Sequence, residues 1–466
     1  MNRAEQTSRQ RAWAFGAMAV LALGTLGFQS WPEAERPVEA RREPYCARTV
    51  TPHGDRAQAR EGIGCSYDTG FDDQSPSIQI SRNGTLVIAR GSGGVLVSHD
   101  RGLSWARIDV PALANGDDPA KGAHGYVHID AVTDRLYYLT SMTAASCGPL
   151  KDGAVVSWSD DLGKTWHGKA VGCGTYDWGR LVTGHDPRAL HGRSLYYFGV
   201  APRLVGGLRP VYRSRDGGET WKKLRQLASV TTEGGAGVTA PDGTIYFDYP
   251  EYIGFWPARM LRSDYPFVPA NTCREMIAVS EDFGETWRQQ PLPDSRACNL
   301  LNGQQRVAVD KAGTVYALWS DDRDAKLYMV VSHDKARTWS RRVQVMPVGA
   351  TFNNNQANII AGEKGHVVIS SQNTRSPTNP RVWITNGHGE WGAYLAESFN
   401  ADDAAPLFRS VALDRDGDPS LREGESPSEA EAYLGISPSD EVWASFSRHG
   451  GKLGKGSRIT AARIQE

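Results

Sequence analysis

"SRDGGETW", Ser214–Trp221, packs two adjacent glycines, an aspartate, a threonine and a tryptophan into one short stretch. Nearly the same string recurs as "SHDRGLSW" from Ser98, "SDDLGKTW" from Ser159, "SEDFGETW" from Ser280 and "SHDKARTW" from Ser332. Five copies of S-x-D-x-G-x-[ST]-W make an internal repeat, and the repeat has to be read before anything else. Each part has a mechanical job in a tight turn between two antiparallel strands. The aspartate carboxylate can accept N–H groups of the residues that follow it. Glycine takes a positive φ that other residues resist, and the tryptophan opens the next strand as an apolar anchor. Strand-like text precedes every copy: "GGVLV", "GAVVSW", "RPVYR", "REMIAV" and "LYMVV". In the fifth copy Ala336 stands where glycine is expected, which predicts a slightly strained turn. A further copy, "TNGHGEW" from Thr385, lacks the aspartate.

A second repeated element precedes the boxes. "PSIQISRNGTLVIA" (from Pro76), "GYVHIDAVTDRLYYL" (Gly125), "RVAVDKAGTVYAL" (Arg306) and "NIIAGEKGHVVIS" (Asn358) each read strand, polar turn, strand. Weaker relatives start at Asp186, Ala236 and Arg409. Two strands from this element and two around a box make a four-stranded antiparallel unit. The aspartate-to-aspartate steps of 61, 55, 66 and 52 residues leave room for loops between such units. The expected fold is all-β, a single β-propeller of four-stranded antiparallel blades, with seven blades favoured and six the alternative. Residues 76–466 form the propeller in this reading, 41–75 a lead-in, and 1–40 a leader with its linker.

The leader rests on "MNRAEQTSRQR", basic overall, followed by the uncharged apolar run Ala12–Phe28. That order reads as an export signal, with an uncleaved membrane anchor the other possibility. The run is slightly short for a membrane span. Six cysteines agree with export. Cys147 and Cys173 bracket the box at Ser159, and Cys273 and Cys298 bracket the box at Ser280 in the same way. If each box turns a hairpin, each pair meets at its open end, so disulfides 147–173 and 273–298 are expected, leaving Cys46 with Cys65. Lys and Arg total 52 against 53 Asp and Glu, so there is no electrostatic footprint for nucleic acid. Neither a phosphate-loop motif nor a metal-ligand spacing is present, and no metal or cofactor is expected. A monomer is expected.

On its five boxes the chain resembles the Asp-box (BNR-repeat) sialidase-like β-propellers, a likeness that runs from about Ser75 to the C-terminus. The resemblance implies that each box lies between the third and fourth strands of a blade, on the face away from the ligand. Asp100, Asp161, Asp216, Asp282 and Asp334 are then structural. It also implies a ligand over the central channel, at the starts of the innermost strands.

Those starts, taken from the second element, supply Asp72, Asp73, Gln74, His124, Tyr126, Asp186, Glu233, Gln305, Gln356 and Arg409. The set is polar and compatible with a sugar or another small polar ligand, and equally with a solvated channel mouth. "FDYPEYIGFW" (Phe247–Trp256) places Tyr249 and Glu251 near the aromatic platform Trp256. Sialidases use a tyrosine beside a glutamate as nucleophile and base, which makes Tyr249 and Glu251 catalytic candidates, with Asp72, Asp73 or Asp186 as the facing acid. Sialidases also grip the substrate carboxylate with an arginine at the start of the first inner strand. Here "DDQSPSIQI" has Gln74 at that place, so ordinary sialidase activity is not expected. Three readings stay open: a glycoside hydrolase acting on another sugar, a polysaccharide lyase using His124 or His128 with a tyrosine, and a non-catalytic glycan- or protein-binding propeller of the envelope.

Overall fold

The strand text is apolar at consecutive positions because both faces of each blade are covered. Second strands such as Leu86–Ala89 and Val315–Ser320 are buried at every residue, as strands packed on both sides must be. In this computed structural model, residues 43–52, 60–73, 76–91, 93–141, 144–148, 153–175, 179–200, 208–228, 235–252, 273–297, 305–378, 389–414, 419–422, 432–448 and 458–466 are described.

Seven antiparallel sheets form seven blades, six of four strands and one of five. Their innermost strands are Ile78–Ile80, Ala123–Ile129, Arg180–His185, Gly237–Thr239, Val307–Val309, Phe352–Ala361 and Ala432–Ile436. Each touches the next, and the seventh touches the first, so the ring closes. The apolar core is correspondingly divided. One cluster fills each seam between neighbouring blades, from Val87 and Val127 between blades 1 and 2 round to Tyr433 and Ile78 between blades 7 and 1. Across the third seam Phe198 stacks on Phe247 with ring centroids 4.4 Å apart.

The sequence count of seven holds, with one substitution in its membership. The element at Arg409 is the fourth strand of blade 6 (Arg409–Ala412), and the seventh inner strand is Ala432–Ile436. The boundary at Pro76 also moves. Blade 7 takes its first three strands from Ala432–Ile436, Val442–Arg448 and Arg458–Gln465, then its fourth and fifth from Ile63–Asp72 and Tyr45–Arg48. The lead-in is therefore part of the propeller, because a ring of blades closes by pairing strands from distant parts of the chain. Cys46 lies directly opposite Cys65 in that pairing and is bonded to it. The Cys147–Cys173 disulfide forms as the spacing predicts; the 273–298 pair involves Cys298, which lies outside the described residues. The leader, residues 1–40, lies outside them too.

Every complete box occupies the turn between third and fourth strands. In blade 3 the Ser214 hydroxyl donates to Asp216 Oδ1 at 2.7 Å and accepts the Gly218 N–H at 2.8 Å. Asp216 also accepts the Thr220 N–H at 2.9 Å and the Thr220 hydroxyl at 2.5 Å. The fifth copy keeps this shape with Ala336 at φ +59°, its N–H donating to Ser332 Oγ at 2.9 Å. That is the strained alanine the sequence predicts. The "TNGHGEW" copy ends at Trp391, ahead of the third strand Gly392–Ser398, and so is not the box of its blade. Ser398 and Asn400 do that work, with the Ser398 hydroxyl 3.1 Å from Asn400 Oδ1 and the Leu407 N–H donating to the same oxygen at 3.0 Å. Asp216→Ala removes three partly solvated hydrogen bonds, and a loss of about 1–2 kcal/mol is expected. Ligand recognition by the folded variant should be unchanged; a normal thermal midpoint with lost binding would contradict the structural role.

Candidate functional site

The first-to-second and third-to-fourth turns share one end of the ring, the box face. The starts of the inner strands share the other, the mouth face. Two inner strands are bulged at their mouth ends, between Ala123 and Tyr126 and between Asn353 and Ala357. Bulges of this kind re-aim side chains where a sheet meets a site.

Below the mouth the channel is filled by side chains. Tyr126, Arg180, Gln305, Asn358 and Tyr433 leave a cavity of about 10 Å³, room for a single water. The Arg180 guanidinium lies over the Tyr126 ring, 5.1 Å from its centroid. A ligand would rest above this plug rather than thread through it.

Of the residues expected at the mouth, Tyr126 and Gln305 line the channel. Asp73 stands beside Arg90 at 3.2 Å, both largely buried. Asp72 is exposed and 3.8 Å from Arg458. His124, the second residue of the bulged strand, holds φ +56°. Gln356 is buried in a knot of amides, its N–H donating to Asn354 Oδ1 at 3.0 Å while Asn354 Nδ2 donates to Gln372 Oε1 at 2.9 Å. Gln74, Glu233 and Trp256 lie outside the described residues.

Two expectations end on the wrong face. Asp186 follows the inner strand Arg180–His185 instead of starting it, so it sits in a box-face turn, fully buried, accepting from Arg215, Arg188 and Ser194. Arg409 opens a fourth strand, again at the box face, and donates to Glu397 and to the carbonyls of Arg60 and Glu61. His128 lies on the inner strand of blade 2, its Nε2 2.9 Å from Thr183 Oγ1; burial drops its pKa to about 4, so it stays neutral.

The "FDYPEY" stretch divides by face. Strand alternation sends Phe247 and Tyr249 into the seam with blade 3, and Tyr246 into the seam with blade 5. Tyr249 is 1% exposed, bonded to Gln289, and burial pushes its hydroxyl up to about 12. A tyrosine nucleophile needs the opposite shift. Glu251 is half-buried and paired with Arg274 at 2.7 Å.

The chemistry that sequence reading missed lies on the other face of this strand. Asp248 and Glu275, on the second and third strands of blade 4, point towards Arg306 at the start of the blade 5 inner strand. Asp248 Oδ1 accepts the Arg306 N–H at 3.3 Å and the Ala236 N–H at 3.4 Å. Arg306 Nη1 donates to Glu275 Oε2, also at 3.3 Å. Asp248 Oδ2 and Glu275 Oε1 are buried with no hydrogen-bond partner among the described residues. Burial, and then the Glu275 charge, push the Asp248 carboxyl up to about 8, and burial raises Glu275 against the pull of Arg306. Two buried acids with one arginine are neutral only if they keep one proton between them. The signal available in the sequence was an acid inside each of two apolar runs, "TIYFDY" and "REMIAV". Among the described residues, no group of three or more His, Cys, Asp and Glu is placed to hold a metal ion.

Seven closed blades with structural box turns on one face and polar strand starts on the other define a seven-bladed β-propeller. It is a propeller of the BNR type: the BNR/Asp-box repeat family model matches residues 212–223, the box of blade 3. A xyloglucanase of Paenibacillus sp is 25% identical over 273 residues, which is 54% of this chain and 24% of that enzyme. The match thus spans about a quarter of that relative's length. Among solved structures, a PL25 ulvan lyase is 11% identical with a TM-score of 0.48, covering 86% of this chain and 98% of the lyase. YCF48 bound to a D1 peptide is 10% identical with a TM-score of 0.47, covering 86% of this chain and 95% of its own.

Proposed function

We propose that the protein is an exported, carbohydrate-active propeller, a glycoside hydrolase acting on a sugar other than ordinary sialosides. Its proton donor is Asp248, at the mouth side of blades 4 and 5. The observation that carries this reading is the buried Asp248–Glu275 pair, sharing Arg306 and leaving one oxygen on each acid unpartnered. A carboxyl kept protonated near neutral pH is what general-acid cleavage of a glycosidic bond requires, and strongly shifted acids concentrate at functional sites. Glu275 and Arg306 set the charge state of Asp248. The xyloglucanase similarity supports a polysaccharide as substrate. Gln74 in place of the clamp arginine argues against sialosides, and the apolar leader with two disulfides supports export.

The purified protein should be screened for cleavage of xyloglucan, arabinan, uronate-containing polysaccharides and a sialoside, beside a glycan-binding array. Turnover of a non-sialoside is expected, falling as pH rises through about 8 and Asp248 loses its proton. Asp248→Asn should lower it by a factor of about 10²–10⁴ while the melting temperature holds. Full activity in that variant would eliminate Asp248 as the acid.

A non-catalytic glycan-binding propeller is the second reading. It is favoured by the ion-pairing of the mouth carboxylates Asp73, Glu251 and Asp72 with arginines. Glycan capture without cleavage of any polymer in the screen would decide for it.

A further inference from the structure

We infer that the box face carries a second ligand site, a pocket for a neutral mono- or disaccharide in the notch between blades 2 and 3. The notch encloses about 430 Å³, within the range of small-molecule pockets. It lies at the opposite end of the ring from Asp248 and does not depend on the catalytic reading.

Its charges cancel in pairs. Arg193 Nε donates to Asp130 Oδ2 at 2.8 Å and its Nη2 donates to Thr183 Oγ1 at 3.1 Å. Arg135 grips Asp160 with two parallel bonds of 2.7 Å. An anion or a cation gains nothing from a lining of zero net charge. A vicinal diol does, because each hydroxyl can donate to a carboxylate lone pair and accept from a guanidinium N–H at once. Arg193 Nη1 has no hydrogen-bond partner among the described residues, and Asp160 is well exposed, so both donor and acceptor capacity remain.

The rim is apolar where the lining is polar. Val132 and Leu190, each 52% exposed, flank the notch, and the C–H face of a sugar ring would cover them. His191, next to Leu190, holds a left-handed backbone at φ +55° and ψ +20°. Such conformations persist where neighbouring structure enforces them, often beside a site.

The equivalent notches of three other seams are occupied by the protein itself. Between blades 3 and 4 the Arg188 guanidinium lies over the Phe283 ring at 4.4 Å while bonding Asp186. Between blades 4 and 5 Lys335 bridges Asp242 and Glu281. Between blades 6 and 7 His366 joins Glu397 to Asp440. The notch between blades 2 and 3 is crossed by Arg193 to Asp130 and by Arg135 to the Gly217 carbonyl at 3.2 Å, yet about 430 Å³ stays open beside these bonds.

The test is a titration of the full-length protein with xylose, arabinose, galactose, glucose and cellobiose, with glucuronate as the charged control. Saturation-transfer NMR followed by calorimetry would give the affinities. At least one neutral sugar is expected to bind with a Kd of about 1 mM. Leu190→Trp, which plugs the notch from an exposed position, should weaken that binding at least about tenfold. Val132→Trp should do the same from the other blade, and Asp248→Asn should leave it unchanged. The inference is overturned if no neutral sugar binds up to about 20 mM, if only glucuronate binds, or if binding survives both tryptophan variants.

Discussion

A chain beginning at Pro76 is expected to fail to form a closed, cooperatively melting ring, whereas one beginning at Arg41 should melt like the full protein. The shorter chain loses Ile63–Asp72, the fourth strand of blade 7, which pairs along Arg458–Gln465 from Ile63↔Gln465 to Asp72↔Arg458. It also loses Cys65 and Tyr67 from the seam between blades 7 and 1, where Tyr67 lies 5.4 Å from Trp443 and both residues are buried. Burying one such aromatic contributes about 2–3 kcal/mol. The exposed edge of Arg458–Gln465 would then be a template for aggregation. Summed with the lost ladder, the deficit is comparable to the whole stability of a domain, about 5–15 kcal/mol. Calorimetry and size-exclusion chromatography of the two chains decide the matter. A sharp transition within a few degrees of the full protein for the Pro76 chain would show that six blades and a remnant suffice.

Alkaline pH is expected to loosen the seam between blades 6 and 7. His366 lies between two carboxylates, Nδ1 2.5 Å from Asp440 and Nε2 2.9 Å from Glu397, and Arg409 completes the chain by donating to Glu397 at 2.5 Å and 2.8 Å. Lys311 adds its charge near Asp440, and the His366 ring stacks on Phe399. Burial alone would lower the histidine pKa. The bonds to Asp440 and Glu397, with their charges, outweigh it and raise the group to about 9.

A raised histidine contributes its stability in full below the unfolded value of about 6.5, and the contribution is lost as pH rises through about 9. The shift is equivalent to roughly 3 kcal/mol. Melting temperature should therefore decline between neutral pH and pH 9 to 10 more steeply than in Glu397→Gln, where one of the two anions is gone. Glu397→Ala should cost about 3–5 kcal/mol at neutral pH, since it leaves the buried Arg409 charge without a carboxylate, hydrogen-bonded among the described residues only to the Arg60 and Glu61 carbonyls. Identical alkaline profiles for wild type and Glu397→Gln would remove His366 as the cause.

Local features of this protein were legible from the sequence because their bonds close within a few residues. The box aspartates needed no partner beyond the next turn, as Asp216 shows with Ser214 and Thr220. The Cys147–Cys173 bridge followed from bracketing one hairpin. Blade number followed because a repeat of one supersecondary unit can bury its faces only against copies of itself.

What the tertiary structure decided was which way things point and what lies across a seam. A strand start placed a few residues late sends a site candidate to the opposite end of the ring, as with Asp186, and Arg409 went there by being counted on an inner strand instead of an outer one. Tyr249 and Asp248 are neighbours in sequence, yet alternation buries one against blade 3 and turns the other towards Arg306. That arginine is 58 residues further along the chain than Asp248. Ring closure pairs Asp68 with Thr460, and the box-face notch takes walls from two blades. Contacts between residues so far apart in the chain carry no local pattern; they exist only once the blades have packed, because packing decides which faces meet.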